Sequence, residues 1–125
     1  MNSTLRSLIS NILKILDEKK GIDIEVMDVR GLVSYTDFLI LCTGTSNPHI
    51  HALVSGIKES IKGNQKPNFL NSSNDDSWLI LDFVDVVVHV FKAETRIFYD
   101  LEGLWCDSKK IDFKTLITAR GFDGD

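Results

Sequence analysis

Two short apolar runs limit what this chain can fold into. Residues 37–43 read DFLILCT, and residues 86–91 read VVVHVF. Neither approaches the ~20 apolar residues that a membrane-spanning helix needs. Both are rich in branched side chains and apolar on both alternating faces, so they read as strands well inside a sheet. In the second run Val86, Val88 and Val90 share one face, while Val87, His89 and Phe91 share the other. A sheet with buried central strands must be covered, so the rest of the chain has to supply helices.

The flanking sequence supplies them. Leu5, Leu8, Ile9, Ile12, Leu13, Ile15 and Leu16 recur at three- and four-residue spacing, which predicts an amphipathic helix over 3–20. Ser3 suits its start, Lys19 and Lys20 its C-terminal dipole, and Gly21 the left-handed residue after it. Residues 22–29 alternate, with Ile22, Ile24 and Val26 on one face and Asp23, Glu25 and Met27 on the other, as in a half-exposed strand. After the buried run comes Gly44-Thr45-Ser46-Asn47-Pro48, then a second helix carrying Ile50, Leu53, Val54, Ile57 and Ile61, ended by Gly63. Residues 64–77 are polar; Phe69 and Leu70 fit a very short strand. Residues 78–91 read as a hairpin turning at 82–85, and one or two helical turns follow within 94–104, where Arg96 and Asp100 stand at i,i+4. The expectation is one domain over 1–125, with a core over about 3–107 and a tail over 108–125. Its class is α/β (α+β), a mixed sheet of about five strands flanked by helices.

Charge and cysteine content narrow the function. A formal net charge of −4 disfavours phosphate-backbone binding, which favours a basic protein, and fits a basic partner surface. Two cysteines, Cys42 and Cys106, are too few for a disulfide scaffold, and Cys42 sits within an apolar run as a buried thiol. The N-terminus has no signal-like pattern. The expectation is a cytoplasmic protein with no membrane segment.

Three constellations could carry chemistry. His49 and His51 are two apart on a helix and point to different sides, and His89 stands alone on a strand, so no metal site is expected. The Gly44-Thr45-Ser46 turn before a helix can cradle an anion or simply cap the helix through Ser46 or Asn47; no Gly-rich phosphate fingerprint accompanies it, which favours the cap. Asp82 and Asp85 are three apart across a turn, whereas two carboxylates that share a metal on one strand face stand two apart. Trp78, Tyr99 and Trp105 lie among charged residues, a composition that suits either a docking surface or a lid over the sheet.

The residues also resemble a known family. Asp82 and Asp85-Val86-Val87-Val88-His89-Val90-Phe91, then Glu94, Arg96, Tyr99-Asp100-Leu101-Glu102 and Leu104-Trp105, resemble a signature of the ribosomal silencing factor family, also called RsfS or Iojap-like. Asp37-Phe38 with Thr43-Gly44-Thr45-Ser46-Asn47 and His49 match its other signature. The resemblance spans about residues 3–107. It implies a fold similar to nucleotidyltransferases but without their catalytic site, no enzymatic activity and no cofactor. It implies binding to the large ribosomal subunit through ribosomal protein L-fourteen, little direct RNA contact, steric blocking of small-subunit joining with repression of translation, and a homodimer when free. Some organelle members assist large-subunit assembly instead. Pro48 stands where a basic residue is usual, Asn71-Ser72 where a Glu-Gly pair is common, and Val84 where a small Gly is usual. The docking surface is assigned to Trp78, His89, Tyr99, Asp100 and Glu102, with Asp82 and Asp85 flanking it. The aromatics are its anchors, and the carboxylates pair with Lys or Arg of the partner. A nucleotide-binding enzyme of nucleotidyltransferase type is the competing expectation.

Overall fold

The computed structural model describes residues 3–61, 66–72, 75–98 and 109–111, the last three by their backbone alone. Three helices and six strands follow in the order α1 (Ser3–Glu18), β1 (Ile22–Asp28), β2 (Phe38–Gly44), α2 (Asn47–Ser60), β3 (Asn68–Asn71), β4 (Trp78–Asp82), β5 (Val86–Lys92), α3 (Ala93–Phe98) and β6 (Lys109–Ile111). The strands form one mixed sheet in the order β3-β4-β5-β2-β1-β6. β2 and β5 pair in parallel at the centre, and every other pairing is antiparallel. The five strands expected from the sequence are all present. A sixth short strand, drawn from the segment read as a tail, lies on the outer edge of β1.

The two apolar runs take the central positions because only a strand with neighbours on both sides and cover above and below tolerates so little polarity. All seven residues of β2 are buried. The pleat of β5 divides as its alternation predicts: Val86, Val88 and Val90 join the cluster beneath α1 and α2, while Val87 and Phe91 join a second cluster on the opposite face. The helix-side cluster takes Leu5, Leu8, Ile9, Ile12, Leu13, Ile15 and Leu16 from α1 and Ile50, Leu53, Val54 and Ile57 from α2. Each such side chain contributes about 1.5–3 kcal/mol when fully buried.

Three local expectations are corrected. First, α1 ends at Glu18, and the left-handed position after it is Lys20 (φ 65°), not Gly21. Lys20 N donates to Asp17 O at 3.1 Å and Gly21 N to Leu16 O at 2.8 Å, the double bond pattern that closes a helix with Gly21 one residue beyond the left-handed site. Glycine is needed there for space: a Cβ at 21 would lie 2.4 Å from Cys42 Sγ and 3.0 Å from Leu16 O. Second, β1 does not keep simple alternation. Its register shifts between Ile22 and Glu25, with Asp23 at φ 49°, so Ile22 is left exposed. Met27, expected on the outer face, is buried in the second cluster because that face of the sheet is apolar as well. Third, α2 ends at Ser60 with Ile61 as its cap; Gly63 lies outside the described residues.

Candidate functional site

The strand β4 carries the first assembled feature. Alternation places Trp78, Ile80 and Asp82 on the face away from α1 and α2, and all three are half-buried, whereas Leu79 and Leu81 are fully buried beneath the helices. β3 extends this strip: Leu70 pairs with Ile80 and is 52% exposed. The result is an apolar strip of Trp78, Ile80 and Leu70 running toward Asp82. Leu70 and Ile80 were not singled out from the sequence, although period-two counting from Trp78 reaches Ile80.

His89 supports the strip from below. It faces Ile80 across the β4–β5 pair, and its Nδ1 accepts a hydrogen bond from Trp78 Nε1 at 3.0 Å. The Trp78 ring also lies 6.4 Å from the ring of Phe91. His89 is only 6% exposed, so it lies beneath Trp78 rather than beside it at the surface. Burial pushes the His89 imidazole down to about 4, so the ring is neutral at pH 7 and keeps the lone pair that Trp78 needs.

The segment entering β4 is tied to α2. Asn47 Nδ2 donates to Asp75 O at 2.7 Å, and His51 Nε2 lies 3.1 Å from Asp76 Oδ2. Asn71 Nδ2 donates to Asp76 Oδ1, and Ser72 N donates to Trp78 O at 2.9 Å. Asn47 and His51 are one helical turn apart and grip adjacent loop residues, which fixes where Trp78 begins.

The acidic pair sits at the other end of the sheet. Asp82 lies four positions beyond Trp78, about 13 Å along a strand. Asp82 Oδ1 accepts from Val84 N at 2.7 Å and so closes the hairpin turn. Asp85 N donates to Phe83 O at 2.9 Å around Val84, whose φ of 75° is left-handed. This is a γ-turn of the strained type, in place of a turn that glycine would relax. Asp85 is exposed, and its carbonyl accepts from Asp37 N and Phe38 N. Tyr99, Asp100 and Glu102 lie outside the described residues, as does Trp105.

The Gly-Thr-Ser turn is a cap. Ser46 Oγ accepts from His49 N at 3.2 Å, and Thr45 N donates to His49 Nδ1 at 2.9 Å. With Nδ1 accepting, Nε2 carries the proton and donates to Lys19 O at 2.8 Å, which joins the end of α1 to the start of α2. The N–H groups of Thr45 and His49 are thus spent inside the protein. A Cβ at Gly44 would lie 2.7 Å from Ile50 Cγ1, so the glycine serves close helix–strand packing. This turn and Asp85 lie at opposite ends of β2, about 20 Å apart over six strand residues. That separation keeps a phosphate held at this turn from meeting a metal held at Asp85. Among the described residues no group of three or more His, Cys, Asp or Glu is placed to hold a metal ion.

Arg96 of α3 is buried against the end of β2. It donates to Asp23 O at 3.0 Å and Thr43 Oγ1 at 2.9 Å, pairs with Glu25 at 3.2 Å, and stacks 5.3 Å over Phe91. It borders a cleft of about 480 Å³ with Asp23, Glu25 and Ile97. With its guanidinium already engaged on several sides, Arg96 is a structural anchor for α3. Cys42 is fully buried and its thiol is pushed up to about 12, chiefly by burial, so it is no nucleophile at neutral pH.

Fold and strip together define a single-domain α+β protein, helix-covered on one sheet face and carrying a partly open aromatic strip on the other. The chain belongs to the ribosomal silencing factor family: the family model described as "Ribosomal silencing factor during starvation" matches residues 2–123. It is 35% identical over 100 residues to ribosomal silencing factor RsfS of Haemophilus influenzae, covering 79% of this chain and 98% of that protein. It is 34% identical over 101 residues to the mouse protein named mitochondrial assembly of ribosomal large subunit protein 1, covering 78% of this chain and 44% of the relative. A crystal structure of a Chromobacterium violaceum protein matches with a TM-score of 0.70 at 30% identity, over 90% of this chain and 92% of that one. Among the described residues no helix is long and apolar enough to cross a membrane.

Proposed function

We propose that this protein binds the large ribosomal subunit in the cytoplasm through ribosomal protein L-fourteen and, seated there, blocks the small subunit from joining. It represses translation by occupancy and carries out no reaction. The observation that carries this reading is the Trp78–Ile80–Asp82 strip, half-exposed and braced by His89, in a member of the silencing-factor family. An aromatic anchor beside an aliphatic pair suits the centre of a protein interface, and carboxylates at its rim suit a basic ribosomal protein. By resemblance, Tyr99, Asp100 and Glu102 complete this surface, and the free protein is a homodimer.

The test is co-sedimentation with purified large subunits, with folding checked by circular dichroism. Trp78→Ala and Tyr99→Ala should each weaken binding by about 2 kcal/mol if they are anchors. Undiminished binding by both folded variants would move the site elsewhere. A role in large-subunit assembly is the second reading, favoured by the name of the mouse relative; depletion that leaves immature large subunits without changing subunit joining would support it. A nucleotide-binding enzyme would instead gain thermal stability from nucleotide with magnesium.

A further inference from the structure

We propose that the end of the sheet opposite Trp78 is a second docking surface, shaped for a basic polypeptide segment of the same ribosomal partner. The proposal rests on the ribosome-docking reading above and adds a contact centred on Leu32, Tyr35 and Val84.

At that end residues 30–36 form a loop closed on itself. Val29 N donates to Asp37 O at 3.0 Å, and Leu32 N and Val33 N both donate to Val29 O at 3.0 and 3.2 Å. Arg30 is fixed by Asp28, which accepts from its Nε at 3.0 Å and its Nη2 at 2.7 Å, and it lies 5.0 Å over the Phe38 ring. Asp37 N and Phe38 N donate to Asp85 O at 3.2 and 3.1 Å, which joins the loop to the hairpin turn. On this frame Leu32 is 50%, Tyr35 56% and Val84 67% exposed. A backbone held by so many bonds has already lost its freedom, so binding orders little more. Large apolar side chains held in water on such a backbone have the character of anchors.

Charge selects the occupant. Asp37 and Asp85 are exposed and Asp82 is half-buried, while the loop's own guanidinium, Arg30, is paired with Asp28. Lys66 borders a shallow cavity of about 250 Å³ that Asp82, Val84 and Asp85 also line, so carboxylates outnumber it. A second copy of this chain, related by a two-fold axis, would oppose like carboxylates. Nucleic acid and anionic lipid would meet the same repulsion. A segment carrying Lys or Arg satisfies both features: its aliphatic stems cover Leu32, Tyr35 and Val84, and its cationic ends reach Asp37, Asp82 and Asp85.

The experiment is a binding titration of the full chain against purified large subunits at two salt concentrations. A Leu32→Ser/Tyr35→Ala variant should lose roughly tenfold or more in affinity while keeping its circular dichroism spectrum. An Asp37→Asn variant, which leaves Asp82 and Asp85 at the rim of the first surface intact, should slow association and flatten the salt dependence. Wild-type affinity and salt dependence in both variants, with weakened binding by Trp78→Ala, would overturn the second surface and leave the first standing. Failure of the wild-type chain to bind large subunits at all would overturn both.

Discussion

Trp78 donates its indole N–H to Nδ1 of His89 at 3.0 Å, from a half-exposed position to a buried one. The bond requires a neutral imidazole, and burial supplies one by holding His89 down at about 4. The half-exposed indole is therefore coupled to the protonation state of the core behind it.

This coupling predicts an acid weakness with a definite sign. The folded pKa of His89 is depressed below its ordinary 6.5, so the unfolded chain binds a proton first as pH falls. Stability is fully present above 6.5 and declines as pH drops toward 4. By pH 5 the loss amounts to about 2 kcal/mol relative to pH 7. Urea unfolding of wild type and His89→Gln at the two pH values measures it; the variant should lack this part of the decline.

The helix end makes a paired prediction. Lys20 occupies a left-handed position that glycine adopts without strain, so Lys20→Gly should stabilise by about 0.5–1 kcal/mol. Gly21→Ala should destabilise by about 1–3 kcal/mol, because the new methyl meets Cys42 Sγ and the carbonyl of Leu16. Thermal unfolding of Lys20→Gly distinguishes the observed cap from one centred on Gly21, for which this substitution would destabilise the helix.

Arg96 should be intolerant of truncation. Replacement by Met strips partners from buried Thr43, half-buried Glu25 and the carbonyl of exposed Asp23, at a cost of about 1.5–3 kcal/mol. Chemical denaturation reads this directly; a change within about 0.5 kcal/mol, the ordinary range for surface substitutions, would mean that Arg96 is not an anchor.

His49→Ala should cost about 2 kcal/mol, since it removes the bridge between Thr45 N and Lys19 O that ties α2 to the end of α1. Faster amide exchange at Thr45 would accompany the loss.

Much of the fold was legible because its strongest signals are periodic. The division of Val86, Val88 and Val90 from Val87, His89 and Phe91 follows from the pleat alone, and the helix-facing leucines of α1 follow from its period. Legibility failed where one residue breaks the period. The irregularity at Asp23 reverses the outlook of Ile22, and the burial of Met27 depends on a second apolar layer that β1 does not announce. Gly21 was assigned to a turn conformation although its role is to make room for Cys42, 21 residues away in sequence. The candidate site was legible as a list and not as an arrangement. Nothing in the local pattern says that His89 lies beneath Trp78, or that Asp85 shares its end of the sheet with Leu32 and Tyr35. Those relations come from the strand pairing.

The most direct measurement is the formation of whole ribosomes from purified large and small subunits on a sucrose gradient, with and without this protein. The wild-type chain should travel with the large subunit and reduce joining in proportion to its occupancy, and folded Trp78→Ala should do so only at higher concentration. Full joining with the large subunits saturated by wild-type protein would contradict steric silencing.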